Sequence, residues 1–181
     1  MRRLLLFLFW LSMTATAQTP LDRELIAAAE RGDLTSVKTL IARGANVNAQ
    51  DQKHDSAFLI ASANGHTAVV KATLDAGADL RSTNRYGGTG LIPACHHGHL
   101  ETVKLLLTTK IDVNHVNNLG WTALLEAVIL GNGGPTHTEI VRLLLAHGAR
   151  AGIADRDGIT PLEHARRRNY SRMVDLLERA G

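Results

Sequence analysis

A repeated spacing of glycines limits what this chain can fold into more than any other feature. Gly32, Gly65 and Gly98 are spaced by 33, and Gly44 and Gly77 show the same interval from a second starting point. Gly65-His-Thr-Ala-Val-Val-Lys superposes on Gly98-His-Leu-Glu-Thr-Val-Lys without a gap, and Gly44-Ala-Asn-Val-Asn on Gly77-Ala-Asp-Leu-Arg. The period breaks once. His137-Thr-Glu-Ile-Val-Arg-Leu-Leu-Leu matches His99-Leu-Glu-Thr-Val-Lys-Leu-Leu-Leu at an offset of 38, and the extra five fall at Gly131-Asn-Gly-Gly-Pro. Asp155-Arg-Asp-Gly-Ile-Thr-Pro-Leu then opens a last unit. The units are 18–50, 51–83, 84–116, 117–154 and 155–181. Repeats of this length are single supersecondary units that bury a core only by stacking.

Each unit reads as two short helices and a turn. In the third, 89–97 forms the first helix and 100–108 the second, with Val103, Leu106 and Leu107 on one face at helical spacing. Gly98 permits the tight turn between them. Gly44, Gly77 and Gly148 end second helices in the left-handed conformation that strains other residues. Lys110 stands where that glycine belongs in unit three, which predicts either a strained left-handed lysine or a remodelled loop. The expected architecture is an all-α solenoid of about five helix-turn-helix units joined by short β-turn tips. Asp22-Arg23-Glu24 and Arg166-Arg167-Arg168 supply the polar ends that capping units need.

The period, Thr160-Pro161-Leu162, the paired Gly-His and Leu-Leu-Leu, and Gly44-Ala-Asn-Val-Asn resemble ankyrin repeats over the whole chain from Gln18 onward. Asn84-Arg-Tyr-Gly-Gly-Thr-Gly-Leu-Ile-Pro-Ala and Gly120-Trp-Thr-Ala-Leu-Leu-Glu-Ala, with the insert that follows, are similar to the exported ankyrin-repeat proteins of bacteria. The resemblance implies a non-catalytic protein-binding module. Because some members of that group are associated with catalase, it also implies a setting of peroxide defence. Unit two departs from the family pattern with Ser56-Ala57-Phe58-Leu59, and unit three with Thr89-Gly90-Leu91-Ile92.

Met1-Arg2-Arg3, the apolar run Leu4 to Leu11, and Ala15-Thr16-Ala17 have the three-part plan of a secretory signal peptide. The run is far shorter than the ~20 apolar residues that span a bilayer. Cleavage after Ala17 is expected, with a periplasmic location and no stable membrane insertion afterwards. Removing Arg2 and Arg3 lowers the basic count from 20 to 18 against 17 acids, so no attraction to nucleic acid is expected. Cys95 is the single cysteine, which excludes an internal disulfide and a cysteine-rich zinc site. It replaces a small residue of the repeat and is read as a buried, inert thiol.

Candidate binding residues are those that vary between units, at the tips and first-helix ends. Across units three to five they are Arg85, Tyr86, His96, His97, Leu119, Trp121, Ile129, Leu130, Arg156, Ile159 and Arg167. Tryptophan, tyrosine and arginine are enriched in binding hot spots. These residues are expected to line a concave face that docks another exported protein, with the chain itself a monomer. Trp121, Ile129 and Leu130 alternatively pack under the insert 131–135. A second function, a haem or metal carrier using His96 and His97, is kept open, although no cofactor is expected. His99 shares its repeat position with His66 and His137 and reads as scaffold. Glu126 and Glu163 lie on first helices, and Asp155 and Asp157 in a connection. None forms an acid pair with catalytic spacing, so no enzyme is expected.

Overall fold

The computed structural model describes residues 18–181, so the signal-peptide and cleavage expectations lie outside the described residues. Among the described residues ten helices form five pairs: α1 Pro20–Glu30 with α2 Leu34–Ala42, α3 Ala57–Ala63 with α4 Thr67–Asp75, and α5 Leu91–His96 with α6 Leu100–Leu107. α7 Ala123–Ile129 pairs with α8 Pro135–Ala146, and α9 Pro161–Arg167 with α10 Ser171–Glu178. No strand occurs among the described residues. First helices pack on first helices in the order α1, α3, α5, α7, α9, and second helices on second helices in the same way. One continuous apolar core lies between the two layers, with Leu25, Phe58, Leu91 and Leu124 at equivalent positions of the first helices.

First helices start where a hydroxyl satisfies a free backbone N–H. Thr19, Ser56, Thr122 and Thr160 each accept from the amide three residues on. Unit three breaks the rule. Its helix starts late, at Leu91, and Thr89 Oγ1 is buried with no hydrogen-bond partner. The neighbouring Gly90 has its own cause: a Cβ there would meet Phe58 Cζ and Ser62 Oγ at 2.9 Å. Phe58 is fully buried, and the missing side chain at 90 is the space its ring needs.

Gly44, Gly77 and Gly148 end their helices at φ 91°, 86° and 86°. Lys110 does not follow them, because the positive-φ residues other than glycine are His54 and Asn169. The remodelled loop is the outcome. Thr108 N–H and Thr109 N–H bond to carbonyls three residues back, and Thr109 Oγ1 donates to Leu106 O while accepting from Ile111 N–H. These bonds satisfy the helix end that glycine closes elsewhere.

The second layer is tied unit to unit by one ring position. His66 Nε2 donates to Glu30 O at 3.1 Å, His99 to Ala63 O at 3.0 Å, and His137 to His96 O at 3.0 Å. Each ring lies on the glycine of the preceding unit, Gly32, Gly65 or Gly98, where a Cβ would sit 2.5–3.1 Å from it. In the last unit Tyr170 takes the position and donates to Gly131 O at 3.1 Å. The insert is thereby placed. Pro135 starts α8 a turn early, Gly131 faces His137, and Gly133 faces Tyr170.

Candidate functional site

Four tips share one geometry. Asp51, Asn84, Asn117 and Asp155 each use Oδ1 to accept from the amides two and four residues on, at 2.8–3.1 Å. The fourth residue of each tip has positive φ, and it is His54, Gly87, Gly120 or Gly158. Side-chain and backbone bonds then join neighbouring tips. Asn118 N–H donates to Tyr86 O at 2.8 Å, and His115 Nε2 to Gly87 O at 2.7 Å. His115 is thus committed to the scaffold and not to the histidines of unit three.

Between the tips and the first helices of units two, three and four lies an open cleft of about 480 Å³. Tyr86, Leu119 and Leu130 stand on it, exposed at 50%, 48% and 42%. With Val116, which lies elsewhere, they are the large apolar side chains left most exposed among the described residues. Ile60, Ile92 and Pro93 form its apolar wall, and Lys53, Asp55 and Arg85 stand among its polar lining. Arg85 lies over the Tyr86 ring at 4.7 Å and donates to its hydroxyl at 3.1 Å, which holds both side chains in place.

Glu126 also lines the cleft, although it is only 5% exposed. Its Oε1 accepts from Asn117 Nδ2 at 3.1 Å. Its Oε2 lies 3.5 Å from His96 Nδ1, and no lysine or arginine pairs with it among the described residues. Burial raises its pKa to about 7, and the Asn117 amide offsets part of that rise. Asp55, across the cleft, is also raised, by burial first and by Asp51 second, with Arg85 and Lys53 opposing. Burial holds His96 and His97 below the ordinary imidazole range, helped by their histidine neighbours. The two rings stack at 4.2 Å. Cys95 is fully buried, and burial together with Glu126 pushes its thiol far above the ordinary range. A thiol in that environment is a poor nucleophile.

Of the residues expected from the sequence, Arg85, Tyr86, His96, His97, Leu119 and Leu130 converge on the cleft. Leu130 is exposed and does not pack under the insert. Trp121 and Ile129 are half-buried and line no part of the cleft. Arg156 turns aside, with its stem over Gly120 and its guanidinium donating to Asn118 O. Ile159 and Arg167 lie on unit five, beyond the cleft. The cleft therefore runs across units two to four, and the expected face across units three to five. Glu126 and Asn117 line the cleft as well, outside the expected set. The signal for Glu126 was present in the row Ala27, Ile60, Pro93, Glu126, His164, where equivalent positions place a carboxylate after three residues without charge.

Among the described residues no group of three or more histidine, cysteine, aspartate or glutamate side chains could hold a metal ion, and no helix is long and apolar enough to cross a membrane. The family description "Ankyrin repeats (3 copies)" matches residues 25–117 and 110–181. An ankyrin repeat domain from Acinetobacter baumannii AYE superposes with a TM-score of 0.86 at 50% identity, over 90% of this chain and 87% of that one. A second solved ankyrin repeat protein, EF0377, gives 0.82 at 39% identity, over 85% of this chain and 78% of that one. A curated Escherichia coli (strain K12) relative, the ankyrin repeat protein YahD, is 46% identical over 56 residues. That match spans 31% of this chain and 28% of YahD.

Proposed function

The chain belongs to the ankyrin-repeat family, and we propose that it is a non-catalytic module that docks another exported protein in the cleft of units two to four. The observation that carries this reading is the gathering of Tyr86, Leu119 and Leu130, otherwise costly to expose, around one concavity. Ankyrin repeats act as protein-interaction modules, and the tips and first helices here hold the three side chains on rigid, mutually bonded backbone. Arg2-Arg3, the apolar run and Ala15-Thr16-Ala17 support a periplasmic site of action after cleavage. The resemblance to exported bacterial ankyrin-repeat proteins makes a peroxide-defence enzyme the first bait to try. The stacking of His96 on His97 and the approach of His96 to Glu126 favour the docking reading over haem or metal carriage by these two histidines.

Affinity capture from a periplasmic extract of the native host tests the reading, with bound protein quantified for each variant. Tyr86→Ala, Leu119→Ala and Leu130→Ala should each weaken capture by about 30-fold, the equivalent of a ~2 kcal/mol hot spot. Lys38→Ala, on the exposed side of α2, should leave it unchanged. Undiminished capture by a folded Tyr86→Ala, Leu119→Ala double variant would show that the partner sits elsewhere.

A further inference from the structure

Glu126 is unlike the other carboxylates that the fold takes out of water. Asp22 accepts from the amides of Thr19 and Asn46 and from no cation, and it serves as a cap. Asp155 accepts two tip amides and the Nε2–H of His164 at 2.6 Å. Both are satisfied within the chain. Glu126 receives one bond, from a neutral amide, and its second oxygen faces a half-buried imidazole at 3.5 Å. Lys53 and Arg85 line the same cleft, but neither forms an ion pair with Glu126, and both oppose the rise of Asp55. A carboxylate so placed lacks the counter-charge that burial of an ion demands.

The approach to it is built from hydrocarbon. Ile60 and Pro93 occupy, in units two and three, the repeat position that Glu126 occupies in unit four. Both line the cleft, with Ile92 and Leu130 beside them. An apolar channel with an unpaired acid in its lining matches one kind of side chain, a hydrocarbon stem with a cationic head. The volume of about 480 Å³ suffices for such a side chain and the backbone that carries it.

Resting on the docking reading above, we propose that the cleft receives a lysine or arginine side chain from the partner, its stem against Ile60, Ile92 and Leu130 and its head on Glu126 Oε2. The exposed Tyr86 and Leu119 would then cover the flanking segment. Ionisation controls the match. The groups that face Glu126 are His96 and Cys95 from α5 and Asn117 from its own tip, while Asp55, Lys53 and Arg85 stand on the facing tips. His96 and Cys95 are both held neutral at pH 7, so neither competes for the charge. Since the free acid ionises at about 7, the share of protein able to bind a cation grows about tenfold from pH 6 to pH 8. Protonation of Asp55 or His96 at lower pH works in the same direction.

The probes are four capped pentapeptides with alanine around a central lysine, arginine, norleucine or citrulline. They are titrated into the full chain while the backbone amide resonances of Asn117, Glu126 and Leu130 are followed. The lysine and arginine peptides should bind at least ~10-fold more tightly than their neutral counterparts, with affinity rising about tenfold from pH 6 to pH 8. Glu126→Gln, nearly the same shape, should erase both the preference and the pH slope. Equal binding of charged and neutral peptides overturns the inference. So does a preference that survives Glu126→Gln, or the absence of any shift at the cleft with all four peptides. Partner capture separates the two readings. If Tyr86→Ala abolishes capture and Glu126→Gln spares it, docking stands and the cationic anchor falls. If the peptide preference holds while capture ignores every cleft substitution, the anchor site stands and the docking reading falls.

Discussion

Glu126 in unit four and His164 in unit five occupy the same place in the repeat, nine residues after the tip residues Asn117 and Asp155. Their surroundings are otherwise alike, since both tip residues use Oδ1 to close the same loop. What differs is the second atom of the tip side chain. In unit five it is a carboxylate oxygen, which takes the His164 Nε2–H at 2.6 Å, while His164 Nδ1 accepts from Arg168 at 3.2 Å. In unit four it is an amide N–H₂, which meets a carboxylate and leaves that carboxylate short of positive charge. One scaffold position is thus closed within the fold in one unit and left open to the cleft in the next. In a solenoid the backbone is common to every unit, so an unsatisfied group is left where a unit declines the internal pairing its neighbour makes.

Opposite pH behaviour follows. The folded pKa of Glu126, about 7, lies above its ordinary 4.5, so the stability tied to it is complete below about pH 4.5 and is lost as pH rises toward 7. Asp155 is held below its ordinary 3.8, by the Ile159 amide first and His164 second. Its contribution is present above that value and is lost as pH falls through the lowered pKa.

The largest effect is expected at the closed position, His164 of unit five. His164→Ala removes a buried ring and the partner of Asp155, and urea unfolding at pH 7 should show a loss of about 2–3 kcal/mol. The open member should respond with the reverse sign. Glu126→Gln should stabilise the fold by about 2 kcal/mol at pH 8, with the gain vanishing near pH 4.5, as measured by unfolding at a series of pH values. Transplanting the closed pair sharpens the contrast further. Asn117→Asp combined with Glu126→His should raise stability at pH 8 by about 1 kcal/mol and abolish the preference for cationic peptides. A stable double variant that kept the preference would disconnect the cation site from Glu126.

A smaller effect is expected at another pair of equivalent positions, Lys110 and Gly148. Gly148 needs its positive φ, whereas Lys110 does not adopt one, because Thr109 closes that helix end. Lys110→Gly should therefore lose up to about 1 kcal/mol through added freedom of the unfolded chain, where a left-handed lysine would have predicted a gain. Thermal unfolding of this single variant reads the sign directly.

The period by itself determined the architecture of this protein. Its 33-residue interval, broken once by the five-residue insert, places Gly32, Gly65 and Gly98 at turns and Gly44, Gly77 and Gly148 at helix ends. The same register puts Val103, Leu106 and Cys95 in the core and, once the insert is allowed for, His66, His99 and His137 in one structural role. Such features are legible because each depends on local backbone geometry or on a neighbour at a constant offset. Much of the cleft was legible on the same ground, since Tyr86, His96, His97, Leu119 and Leu130 are variable positions on a known face of the repeat.

Tertiary structure alone decided the rest. Trp121 had the composition of a hot spot and yet turns half inward, while Arg156 folds across Gly120 to reach Asn118 O. The size of Phe58 explains the glycine at 90, a complementarity between units that no single unit displays. Glu126 shows the limit most plainly. Its residue type is visible in the sequence, but burial, the direction of the Asn117 amide and the lack of a cation are properties of three units packed together. Electrostatic character depends on distances across units and on exclusion of water, and neither quantity exists until the units have stacked.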